Sequence, residues 1–473
     1  MKRKRATLKL NGYLTVFLSL SLAMLLGVFF LLIQAAFSNF SKMQLECAAD
    51  IGMNSALGEF NRELLQQYDL LFIDMSYGSA NAALGKVENH MAGYVIENIR
   101  AQAGSVSAWN ELKLNDLYIS QTLAPHHYDG KILKRQAAAY IGENAQANAI
   151  SDIGALLTQG EKYDDDDGMA AWQGVMGTIT TLLASLTEEK RQEAIAADPD
   201  ADVDSINVTI DNPADTAFED AKEYMDNLSD GADGGGSVTL ADYYSRRTAA
   251  YPGPAASEYD EGLLGKLAND HLFRCYMFEK MGRHLNLKEG SRLNYQVEYV
   301  IAGKNNDNAN LRSIKLRIFS WRFANNIFLY QNSKAKQTEA RGIALTVTSL
   351  ILQPQLTEAV AQSILFMWAF NDSKKDLDEI MDGGKIPLVK ESIGSTKGAI
   401  GYEKYLEIML GMQMLYKEKT VIARVMDIME MDIRKTPGNQ HFRMDWCIES
   451  FRARLEFSDR YEQYAIERTY GYY

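Results

Sequence analysis

Tyr13-Leu-Thr-Val-Phe-Leu-Ser-Leu-Ser-Leu-Ala-Met-Leu-Leu-Gly-Val-Phe-Phe-Leu-Leu-Ile33 carries neither a charge nor a proline. As a helix rising about 1.5 Å per residue, it spans roughly 31 Å, close to the hydrocarbon thickness of a bilayer. Ahead of it stands MKRKRATLKLNG, with Lys2, Arg3, Lys4, Arg5 and Lys9 and no acid. Basic residues stay on the cytoplasmic side, so the N-terminus is expected inside and everything after about Phe37 outside. A cleaved signal has the same order of parts. Its apolar run is usually only ~7–15 residues and ends at small residues. Here the run is longer, and Gln34-Ala-Ala-Phe37-Ser38 is a poor cleavage site. A retained single-pass anchor is the expectation, with the lipid bilayer as partner of Tyr13–Ile33.

Beyond the anchor the chain is long enough for a sizeable core. The periodicity predicts an α+β architecture: the transmembrane helix continues into a long extracytoplasmic helix packed on a mixed helix and sheet domain with an acidic insertion. Met53, Leu57, Phe60, Leu64, Tyr68 and Leu71 recur at helical spacing, so one helix is expected from Ser38 to Leu71. Trp109, Leu112, Leu114, Leu117 and Ile119 suggest strands, His126 to Gly130 a turn, and Lys134 to Asn144 a helix. Leu293, Tyr295, Val297, Tyr299 and Ile301 alternate with polar residues, which predicts a strand closed by Gly303. Helices are expected at about 308–330, 337–352, 356–371, 402–413 and 417–435, and a last strand at Phe451 to Phe457. The organisation reads as a basic segment (1–12), an anchor (13–37), a membrane-proximal part (38–160), the insertion (161–261) and a main domain (262–473).

Charge is distributed unevenly. Residues 161–261 hold 6 basic against 24 acidic side chains, whereas 262–473 hold 30 against 25. The net charge of −13 therefore belongs to one internal segment, and no basic face for nucleic acid is visible. Asp198-Pro-Asp-Ala-Asp-Val-Asp204 and the glycine-rich 230–237 read as a partly disordered tether.

Chemical signatures are sparse. No lipase-type serine motif, zinc-protease helix or phosphate loop occurs. Ser333-Lys-Ala-Lys336 matches a serine–lysine nucleophile pattern but sits in a polar turn. His126 and His127 with Asp129 have metal-ligand chemistry, and a solvated turn is the expected alternative. Asp164–Asp167 and the Asp198–Asp204 run do not satisfy the spacing of a calcium loop. Cys47, Cys275 and Cys447 are too scattered for a disulfide framework, and a Cys275–Cys447 bridge is the one pairing considered. The expectation is therefore no catalytic, cofactor-binding or metal-binding residue, and no cofactor.

Gly12-Tyr-Leu-Thr-Val-Phe-Leu-Ser-Leu, the apolar span and the run Phe60-Asn-Arg-Glu-Leu-Leu-Gln-Gln-Tyr68-Asp-Leu-Leu-Phe72 resemble an uncharacterised bacterial family of single-pass envelope proteins. That family is similar in layout to the TadE/TadG-like minor pilins of tight-adherence (Flp-type) pilus and secretion loci. More loosely, Asp129-Gly130 with Gln136 and Tyr140, Tyr295 to Ile301, and Asp376-Leu377 through Pro387-Leu388 to Lys390 look like the same family. The resemblance implies a non-enzymatic accessory protein with envelope, pilus or secretion proteins as partners. Pilin precursors are cut after a glycine and carry Glu five residues on; here Gly12 is followed at that position by Phe17. Cleavage at Gly12 and service as a major filament subunit are therefore not expected. A competing expectation is an anchored extracytoplasmic hydrolase or ligand-sensing domain, which needs a concave site with converging polar groups and gains if His271 or His284 lies beside carboxylates in a pocket.

Overall fold

α1 (Gly12–Leu57) is 46 residues long in the computed structural model. The structure describes residues 12–102, 112–144, 238–255, 263–350, 354–459 and 462–472, with single residues at 188, 192, 223, 224 and 227. The apolar run and its continuation form one helix, but that helix stops at Leu57 rather than running to Leu71. Gly58 breaks it, and Phe60 pairs with Ile73 as a short antiparallel bridge. Asn61 then caps α2 (Arg62–Tyr68) by accepting from the Leu64 amide at 3.0 Å. Asp69, in the left-handed region at φ 52°, ends it. The periodicity through Leu71 is real, but it belongs to two helices that bury the same kind of face.

α3 (Leu84–Gln102) packs along the outer half of α1. The two helices approach closely at Gly52, where a Cβ would stand 2.3 Å from Val95 Cγ2. Over them lies an antiparallel sheet of β2 (Lys113–Leu123), β6 (Ser450–Ser458) and β7 (Gln463–Gly471), with β6 in the middle. Lys113 pairs with Ser458 and Leu123 with Ser450, and β6 turns directly into β7. Phe451, Ala453, Leu455 and Phe457 alternate inward along β6 and bury against Leu45, Ala48, Ala49 and Met53 of α1 and Met91 and Val95 of α3. The last strand expected from the sequence is thus present and central.

A second, larger core is helical. α4 (His127–Asn144) opens with Tyr128, Asp129 and Gly130 at positive φ, the turn expected there, before its regular part. α5 (Leu263–Lys280), α6 (Gln296–Ala302), α7 (Asp307–Asn332), α8 (Lys334–Leu350), α9 (Thr357–Met381) and α10 (Tyr402–Ile433) follow. The two helices expected at 402–413 and 417–435 are one helix broken at Lys417 (φ −138°, ψ 34°). Residues 293–301 are not a strand: Gln296–Ala302 is helical, and Gly303 caps it with φ 68°. Every residue from Gln296 to Ile301 is buried, so no polar face betrays the helix. The polar alternation comes from Gln296 and Glu298, which meet partners inside the protein. Two-residue pairings, β1 (Ile73–Asp74) with β5 (Cys447–Ile448) and β3 (Ile386–Pro387) with β4 (Ala399–Ile400), complete the described topology.

Most of the acidic insertion lies outside the described residues, including Trp172 to Leu186 and both aspartate runs. Its last part, 238–255, lies on the body with Val238 and Leu240 buried. No long uncovered stretch of α1 separates its apolar run from the body. Ser41 and Leu45 of α1 are already covered, because the sheet reaches down beside them.

Candidate functional site

α1 is the one helix among the described residues that is long and apolar enough to cross a membrane, and its apolar window is wholly uncovered. Leu25, Phe30 and Leu31 each keep about two-thirds of their surface exposed, far more apolar area than water tolerates on one helix. Past Ile33 the same helix is tied to β7 at three levels. Ser38 Oγ donates to Glu462 Oε2 at 2.9 Å and lies 3.2 Å from the Tyr464 hydroxyl. Arg468 reaches Glu46 at 3.7 Å and Asp50 at 3.4 Å. Tyr472 donates to the Leu57 carbonyl. Ser38 to Leu57 is a rise of about 28 Å as helix, and Tyr464 to Tyr472 is about 27 Å as strand, so β7 runs alongside α1.

The interior holds three carboxylates on the apolar helix α10. Asp427 accepts from the Ser245 amide at 2.8 Å and the Tyr299 hydroxyl at 2.7 Å. Glu430 takes both terminal nitrogens of Arg247 and the Met444 amide. Asp432 accepts from the Tyr68 hydroxyl at 2.7 Å, Gln296 Nε2 at 2.8 Å and the Arg292 amide at 2.9 Å. Arg247 also binds Asp445 at 2.5 Å. Burial pushes the Asp427 and Glu430 carboxyls up, against the pull of these donors. Burial acts the same way on Asp445, but Arg443, the Ala250 amide and Arg247 outweigh it and bring that carboxyl to about 2. A buried charge is tolerated only when paired and hydrogen-bonded. These acids fasten α2, α6, segment 238–255 and the stretch before β5 to one helix, and their oxygens are engaged in doing so. The signal for them in the sequence was three acids within Val421 to Ile433, a run otherwise apolar but for Arg424.

A comparable tie lies at Arg322, which is fully buried. It donates to Asp376 at 3.0 Å and to the Pro387 and Leu388 carbonyls at 2.7 and 2.9 Å, while Lys390 reaches Asp376 at 2.8 Å. The residues Asp376, Pro387 and Lys390, quoted above for a resemblance, therefore meet in space. Gln136 holds the Leu71 amide and carbonyl at 2.9 and 3.1 Å, and Tyr140 bonds Glu279 and Lys280. Lys134, also fully buried, is held by Asp270 at 2.9 Å and Glu418 at 2.7 Å.

The other residues singled out in the sequence do not converge. His126 and His127 pack edge-on against each other and against Tyr251, and burial pushes both rings down to about 4. Asp129 faces away to Lys419. The Lys336 amine is engaged by Glu339 at 2.8 Å and is not poised to activate Ser333. His271 lies 3.7 Å from Cys275, whose thiol is pushed up by burial and so is less reactive. His284 packs edge-on to Tyr295 and Tyr402, and its amide donates to Glu298, a fully buried acid that no substrate reaches. All three cysteines are free, so Cys275 and Cys447 form no bridge. Among the described residues no three His, Cys, Asp or Glu side chains are grouped to hold a metal ion.

Residues 234–395 and 391–459 match the model of a family of unknown function (DUF5702). The match spans just under half of the chain and covers α5 to α10 and all of β6, leaving α1 to α4 outside it. No curated protein and no solved structure matches the chain.

Proposed function

We propose that this chain is a single-pass membrane-anchored protein of the bacterial cell envelope, with its N-terminus cytoplasmic and its α+β body extracytoplasmic. It acts as a structural or accessory component of a Tad-like pilus or secretion apparatus, without catalysis of its own. The acidic insertion serves as a tether. One observation carries the reading: the first half of α1 is uncovered and apolar, while the second half is built into the body. A basic cluster precedes the span, and cationic residues are retained inside. The buried ion pairs support the non-catalytic part, because their groups are consumed in holding segments together.

Fractionation tests the anchor. The full-length chain is expected in membranes after alkaline carbonate washing, with its N-terminus uncleaved on sequencing. A periplasmic-type phosphatase fused at the C-terminus is expected to be active. Recovery with cytosolic proteins, or a mature chain that lacks Tyr13 to Ile33, overturns the proposal. Deletion is expected to impair surface-fibre assembly or export; unchanged fibres and export overturn the assignment to such an apparatus.

A further inference from the structure

Ser38, where the body first touches α1, lies five residues beyond Ile33, the last of the apolar run. That is a rise of about 7 Å. The headgroup region adds roughly 5–8 Å to each side of the hydrocarbon core. Ser38 therefore stands at headgroup height, and so does whatever is bonded to it. Glu462 and Tyr464 are bonded to it, at the start of β7. The turn into β7 is closed at the same place, by the Asp459 amide on the Glu462 carbonyl at 3.0 Å and the Glu462 amide on Asp459 Oδ1 at 2.7 Å. Since β7 runs along α1, the β6–β7 end of the sheet points at the bilayer. The ladder puts Lys113, at the start of β2, at that level too.

On α1 itself, Phe37 and Phe40 are 44% and 38% exposed although they lie outside the apolar run. Both keep a sizeable exposed surface, and their height is that of the interfacial belt where aromatic rings are favoured. The covalent continuity of α1 sets this height whatever else the protein binds.

We infer that the β6–β7 end of the sheet, at Asp459, Glu462 and Tyr464, lies with Phe37 and Phe40 in the outer headgroup layer of the bilayer that α1 crosses. The body is seated on lipid rather than held away from it. This rests on the anchored reading of α1.

The test uses the full-length protein in phosphatidylcholine vesicles that contain a lipid with a nitroxide on its headgroup. In a Cys47→Ser, Cys275→Ser background, a fluorophore is placed by Glu462→Cys and, separately, by Gln463→Cys, both exposed positions. Gln440→Cys is the control; its neighbour Asn439 bonds Asn61, beyond the far end of α1 and about 30 Å or more away along the helix. Quenching at 462 and 463 is expected to exceed that at 440 severalfold. Equal quenching in protein that resists carbonate overturns this inference and leaves the anchor standing. Release by carbonate overturns both. Protection of 462 and 463 by a bound protein, with no lipid quenching, also overturns it.

Discussion

Arg247 grips Glu430 with both terminal nitrogens, at 2.6 and 2.5 Å, and the carboxylate is fully buried. Losing the guanidinium strands a charge in the core, which typically costs about 3–5 kcal/mol. Arg247→Met is expected to destabilise the protein on that scale in urea unfolding of detergent-solubilised chain. Arg247→Met with Glu430→Met together should recover part of the loss, because Glu430 no longer carries a charge while Asp445 keeps Arg443 and the Ala250 amide. A double variant as unstable as the single would mean that the pair does more than neutralise itself.

Gly52 is a second sensitive point. A side chain there meets Val95 Cγ2 at 2.3 Å. Gly52→Leu is expected to push α1 off α3, at a cost of about 1–3 kcal/mol from overpacking. Limited proteolysis should then cut around α3 while the helical core from α5 to α10 stays protected. Uniform protection would count against the tight approach.

Acid should loosen the body in a definite window. His126 and His127 are buried neutral, with rings titrating near 4 in the fold against about 6.5 unfolded. A depressed folded value gives stability that is complete above about pH 6.5 and drains away as pH falls towards 4. His126 faces Asp445 and Arg247, and the first of these keeps its charge throughout that window. The melting temperature is expected to fall between pH 7 and 4. His126→Phe, which keeps a ring against Tyr244 and Tyr251, should flatten that fall. An unchanged slope would rule out His126 as its source.

A charge in the middle of the apolar run tests the anchor from inside. Leu25→Arg carries an apparent insertion cost of about 2.5–3.5 kcal/mol at a helix centre. A larger share of the chain should then be recovered outside the membrane fraction. Leu25→Ala, which adds no charge, should partition as the parent does.

Elements with one wet face were readable from spacing. α8 and β6 alternate covered and more exposed positions, α7 keeps helical spacing of its apolar residues though almost wholly covered, and the expected bounds of all three fall within a few residues of the observed ones. α9 runs ten residues further than expected, to Met381, where Asp372 and Asp376 sit in its last turns with partners of their own. α6 was misread because Gln296 and Glu298 look like a solvated face while both are buried. The break at Gly58 was missed because Phe60 and Leu64 keep the helical rhythm across it. The apolar half of α1 was legible because no packed neighbour in the body shapes its composition. The Arg247 and Arg322 ties were not, since each joins residues from segments far apart in the chain.

β2 and its neighbour β6 are separated by more than three hundred residues of chain, and β6 supplies the cover for the outer half of α1. That cover emerges during synthesis only after β2 and the helices from α5 to α10 have done so. Until it arrives, β2 has an open edge and Leu45, Ala49 and Met53 face solvent, a state prone to wrong association. Nascent chains truncated before Ser450 should therefore be caught by chaperones or proteases at the membrane, whatever the soundness of their helical middle.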